Sequence, residues 1–113
     1  MSAAGEEAEP GYHLFLDPEE AGPAASALRL LISDEAHEPA IRALARSVLQ
    51  QLEGAAAGPL TLALEPRQMK ITHSAVKLLL NDLGREQHDE REILHAILEK
   101  LPDEHVMRAI EIE

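Results

Sequence analysis

The chain has 113 residues, 45% of them hydrophobic, and a formal net charge of −11 at pH 7. That length predicts a single domain with a real core. The complete absence of cysteine excludes disulfides and thiolate chemistry, and the negative charge opposes phosphate backbones, so no nucleic-acid partner is expected.

The core must be aliphatic, because Tyr12 and Phe15 are the only aromatic residues. Such a Leu- and Ala-rich composition favours helices. The opening MSAAGEEAEP has neither a basic start nor an apolar run, so it does not read as a signal peptide. No stretch approaches the run of about 18 apolar residues that a membrane span needs. A cytoplasmic protein with no membrane partner is therefore expected. The charge is uneven: Arg67 to Lys100 holds six basic and six acidic residues, so the acidic excess lies outside that window.

Residues 1–11 are small and acidic and predict a disordered tail. Tyr12 to Leu16 alternates as a short strand does, with Tyr12, Leu14 and Leu16 on one side. Asp17-Pro18-Glu19-Glu20 is a helix-start signal, but Pro23 would break a helix begun there. The reading adopted starts the main helix at Pro23 and ends it near Ser33. A second helix opens at Glu38-Pro39, and its stripe of Ile41, Leu44, Ala45, Val48, Leu49 and Leu52 stops at Gly54. Residues 55–59 form a connector.

The pattern then restarts. Leu60 to Leu64 alternates, Glu65-Pro66 repeats the acid-proline helix start, and Met69, Thr72, Val76, Leu79, Leu80 and Leu83 form one stripe that Gly84 should cap. Ile93, Leu94, Ile97, Leu98 and Leu101 are the stripe of a fourth helix, ended at Pro102-Asp103. Met107 to Glu113 alternates and reads as a third strand.

Sliding the sequence by 48 positions pairs residues 14–38 with 62–86, and nine of those 25 positions are identical. A one-residue insertion then aligns Arg42 with Arg91, Leu49 with Leu98 and Leu52 with Leu101. The expected fold is thus α-dominated α+β: a tandem duplication of a β-α-α unit with four short helices, plus a C-terminal strand. Its parts are repeat one (12–54), a linker (55–59), repeat two (60–102) and the strand 107–113, together one domain over 12–113.

Three consecutive apolar residues in each central helix (Leu30, Leu31 and Ile32; Leu78, Leu79 and Leu80) span about 200° of the wheel, more than one neighbour covers. Leu30, Ile71 and Leu78 are therefore expected to widen an apolar interaction face. Isolated two-stranded ribbons are marginal, so a second copy is expected to complete a strand edge in a homodimer. Lys70, His73 and Lys77, beside Ser74, read as a mildly basic solvated face able to receive an acidic partner or the chain's own acidic tail. Ser74 and His73 are adjacent, so they diverge by about 100° on a helix and make no catalytic pair.

His88, Glu92, His95 and Glu99 share one face of the fourth helix, including the Glu-x-x-His spacing of di-iron bundles. On the wheel they lie about 130° to 170° from the centre of the apolar stripe, away from the core. That leaves a solvated stripe in which His88, Glu92 and His95 could take Zn²⁺ weakly; no other cofactor is expected. Asp34-Glu35-Ala36-His37 spells a helicase box without the phosphate loop such a box requires, and reads as coincidence. Leu83-Gly84-Arg85 suits a helix-turn-helix, but the acids opening the next helix would meet phosphates.

No specific catalytic signature is present. The expected function is a small acidic, non-enzymatic protein-protein interaction or regulatory module with an unidentified protein partner. The alternative is a metal- or small-ligand-binding protein using the His/Glu face or the cleft between the repeats.

Overall fold

The computed structural model describes residues 12–34, 37–54, 60–102 and 104–109. The chain order is β1 (Tyr12–Leu16), α1 (Pro18–Ser33), α2 (Pro39–Glu53), β2 (Leu60–Leu64), α3 (Pro66–Asp82), a 3₁₀ turn (Arg85–Gln87), α4 (His88–Glu99) and α5 (Glu104–Arg108). The protein is α+β and helix-dominated, as the sequence predicts. No helix among the described residues is long and apolar enough to cross a membrane. The tail 1–11, the connector 55–59 and residues 110–113 of the expected strand lie outside the described residues.

β1 and β2 pair antiparallel, with Leu14 opposite Leu62 at the centre of the register. Alternation puts Leu14, Leu16, Leu62 and Leu64 inward, each at most 1% exposed, while His13, Phe15 and Thr61 face outward. Helices complete the ribbon. The Gln51 amide reaches from α2 to Ala63, donating from Nε2 to its carbonyl at 2.9 Å and accepting its N–H at 3.0 Å. Lys100 Nζ, at the end of α4, donates to the Phe15 carbonyl at 3.0 Å. Both outer edges thus carry side-chain partners from the same chain, at the positions an added strand would use.

α1 begins at Pro18, five residues earlier than the start at Pro23 expected from the sequence. The local start signal prevails because it is satisfied twice: the Asp17 N–H donates to Glu20 Oε1 at 2.8 Å, and the Glu20 N–H to the Asp17 carbonyl at 2.9 Å. Pro23 deprives only one carbonyl of its partner, that of exposed Glu19, where water can substitute. α3 opens the same way, with Glu65 N–H on Gln68 Oε1 at 2.9 Å.

The C-terminal segment is the main correction. Met107 and Arg108 belong to α5, not to a third strand. A strand there would need a free sheet edge, whereas a helical turn buries Met107 (4% exposed) in the common core. α3 ends at Asp82 with Leu83 as its C-cap, and Gly84 instead opens the 3₁₀ turn with its N–H on Gln87 Oε1 at 3.0 Å.

Positions 48 or 49 apart meet matching surroundings. Arg42 Nε donates to the Ile32 carbonyl at 3.0 Å at the end of α1, and Arg91 Nη1 to the Leu80 carbonyl at 2.9 Å near the end of α3. Gln51 serves Ala63 as Lys100 serves Phe15. The third helical residue of each long helix reaches toward the opposite half: Glu20 Oε1 to Lys100 Nζ at 2.5 Å, and Gln68 Nε2 to Ser47 Oγ at 2.9 Å.

Candidate functional site

α1 and α3 pack on each other at the centre of the molecule, and two hollows lie along their seam. The larger, of about 390 Å³, is lined by Leu31, His37, Lys70, His73, Ser74, Lys77, Leu78, Asn81, Met107 and Arg108. The second, about 340 Å³, shares Leu78 and Asn81 with it and adds Leu30, Ser33, Asp34 and Asp82. Three of the pairs lining this second hollow are 48 positions apart: Leu30 and Leu78, Ser33 and Asn81, Asp34 and Asp82. It therefore draws its lining from the C-terminal ends of both α1 and α3.

Helical geometry explains the lining. Lys70, Ser74, Lys77 and Asn81 recur at i, i+4, i+7 and i+11 and so share one face of α3. Leu31 and Met107 form an apolar floor, each under 5% exposed, and α5 contributes Arg108 to the lining. Among the described residues the larger hollow has no acidic residue in its lining, in a protein whose net charge is −11. Elsewhere Arg42 and Arg91 bind helix-end carbonyls, Arg29 pairs with Glu53 at 2.9 Å, and Lys100 pairs with Glu20.

Four of the five residues expected to form an interaction face line these hollows: Leu30, Leu78, Lys70 and Lys77. The fifth, Ile71, is 2% exposed and belongs to the core. α3 is packed by α1, α2 and α4, so an off-stripe residue that one neighbour would leave bare is covered by another.

His73 is also a correction: it is buried, at 8% exposure, and not on a solvated face. Burial lowers its pKa below the ordinary 6.5, and the Lys77 ammonium lowers it further. A sequence signal for its burial exists, since Met69, His73, Val76 and Leu80 repeat at i, i+4, i+7 and i+11. Ser74 is exposed, so the neighbours take different environments. His37 adds a buried ring nitrogen, Nδ1, with no hydrogen-bond partner among the described residues; the nearest carboxylate is Asp34 Oδ2 at 3.7 Å. The contributions of His37, Met107 and Arg108 were missed in the sequence because they depend on where α5 and the α1–α2 turn come to rest. Pro102-Asp103-Glu104 was nevertheless a legible helix start.

His88, Glu92, His95 and Glu99 are all exposed on α4. His88 Nε2 lies 2.9 Å from Glu92 Oε2, one ordinary i,i+4 pair. Among the described residues no three His, Asp or Glu side chains are grouped to hold a metal, so His88, Glu92 and His95 do not form a closed ligand set.

No protein-family model matches this sequence, and neither a curated protein nor a solved structure matches the chain.

Proposed function

We propose that this chain is a small, non-enzymatic cytoplasmic protein-interaction module whose docking surface is the seam between α1 and α3. The observation carrying this reading is the convergence of Leu30, Lys70, Lys77 and Leu78 on two adjoining hollows. A floor of apolar side chains beneath a polar rim is the anatomy of a docking site. The module is a tandem duplicate of a β-α-α unit. Support comes from the matched bonds of Arg42 and Arg91 and from the Leu14–Leu62 pair, 48 positions apart and at the centre of the ribbon.

The test is a photo-crosslinking amino acid at Ser33 or Asn81, exposed at the seam, with position Glu92 on α4 as control. Discrete adducts from the seam positions alone support the reading. Equal adducts from Glu92, or none from the seam, overturn it.

A second reading concerns self-association. Phe15 is 66% exposed on the outward face of the ribbon, which gives a homodimer an apolar surface that does not depend on the partnered strand edges. Light scattering at micromolar concentration tests it: a dimer mass that Phe15→Ser converts to monomer supports this surface, and a monomer mass for the native chain ends the reading.

A further inference from the structure

We propose that α5 is a displaceable plug on the docking seam: it swings away to admit a partner, whose apolar anchor then takes the place of Met107. This rests on the docking reading above and adds an internal competitor to it.

Burial carries the argument. Among the described side chains from Val106 to Ala109, only Met107 is buried, at 4% exposure, while Val106 is 43% exposed and Arg108 and Ala109 face solvent. Val106 and Arg108 have partners too, but Met107 is the one that enters the common core. It enters at the larger hollow, which it lines together with Leu31, His73 and Leu78. Leu78 also belongs to the adjoining hollow. The apolar seat of the candidate docking surface is thus already partly filled by a side chain of the same chain.

Three features make that seat exchangeable. α5 has five residues, far short of the roughly 12 that an isolated helix needs in water, so its order depends on being seated. It follows Pro102 and lies beyond the stretches aligned by the repeat offset, the last of which ends at Leu101. Leu101 is itself 6% exposed, so the chain stays anchored there when α5 leaves. Methionine, finally, is unbranched and adaptable, and another apolar anchor can replace it. Burying one such side chain favours the closed state by about ten- to a hundredfold, which leaves a minor open state for a ligand to select.

The probe is the chain's own segment, a fluorescein-labelled peptide of residues 102–113, titrated by fluorescence anisotropy against the native chain and full-length Met107→Ala. For a tethered segment at an effective concentration of about 1 mM, that closed-state preference corresponds to a dissociation constant of roughly 10–100 µM in trans. The M107A chain should bind the peptide about tenfold more tightly or better than the native chain, whose own α5 competes. A peptide carrying the same substitution should bind about tenfold more weakly. Equal affinity for the two chains, or binding to neither, overturns the proposal.

Oxidation by hydrogen peroxide, read by mass spectrometry on the native chain, gives an answer that does not depend on the variant folding. Met69 on α3 is the internal reference, 7% exposed against 4% for Met107, so static access would favour Met69. A plug that opens locally predicts the reverse: Met107 oxidises about tenfold faster, at a rate that low urea leaves unchanged. Equal or slower oxidation of Met107 overturns the proposal. Crosslinking from Asn81 separates this inference from the docking reading. Adducts that increase in M107A support both. Equal yields from the two chains leave docking standing and remove the plug, and no adducts from either chain remove the docking reading itself.

Discussion

The side-chain amide of Gln51 closes both hydrogen bonds of Ala63 on the outer edge of β2, donating at 2.9 Å and accepting at 3.0 Å. A side chain thereby does the work of a third strand. Gln51→Ala should destabilise the fold by about 1–2 kcal/mol, since water can reach half-buried Ala63 and recover part of the loss. It also exposes a strand edge, so the variant should self-associate more than the native chain. Urea unfolding and light scattering check the two effects; an unchanged midpoint and mass would mean that the amide only decorates the edge.

Lys100 illustrates how burial changes the value of an ion pair. Its partner, Glu20, has a side chain only 5% exposed, whereas Arg29 and Glu53 pair with side chains 57% and 53% exposed. Lys100→Met strands a buried carboxylate and removes the bond to the Phe15 carbonyl, so a loss of about 2–4 kcal/mol is expected. Arg29→Ala should cost no more than about 1 kcal/mol. Equal effects in chemical denaturation would refute the distinction.

Arg42 and Arg91 each bring a charged donor to carbonyls near a helix C-terminus, where the dipole also favours a cation. Replacing either by Met should cost about 1.5–3 kcal/mol. They share no bonding partner, so the double variant should be additive within about 0.5 kcal/mol. A marked departure from additivity would reveal coupling between the halves that the hydrogen bonds do not account for.

His73 links stability to pH. Its folded pKa lies below 6.5, chiefly through burial and further through Lys77, so on acidification the unfolded chain takes up this proton first. The stability His73 contributes is fully present above about pH 6.5 and is lost as pH falls through its lowered folded value. Compared with His73→Leu, the native chain should lose stability progressively as pH falls below about 6.5. Parallel stability profiles for the two proteins would contradict this.

Much of the fold was legible in one dimension because it depends on periodicity and local capping. The strands alternate, the stripe of α2 stops at Gly54, and the offset of 48 aligns residues whose bonds correspond in space. The start of α1 depends on the reciprocal bonds of Asp17 and Glu20, which outweigh the helix-breaking tendency of Pro23. Leu30, Lys70, Lys77 and Leu78 could be singled out because an oversized apolar face and a basic helical row are patterns of spacing.

Burial where several elements converge is different. Ile71 and His73 sit on α3, which has neighbours on several sides; a helical wheel assigns a residue to a direction but does not say whether another element waits there. The same limit concealed the cleft. The sequence by itself determined the helices, the ribbon and the acidic balance, through interactions reaching a few residues along the chain. Tertiary structure alone decided that α5 would bury Met107 in the core and bring Arg108 to the hollow that Lys70 and Lys77 line, because those residues are distant in sequence and meet only through packing.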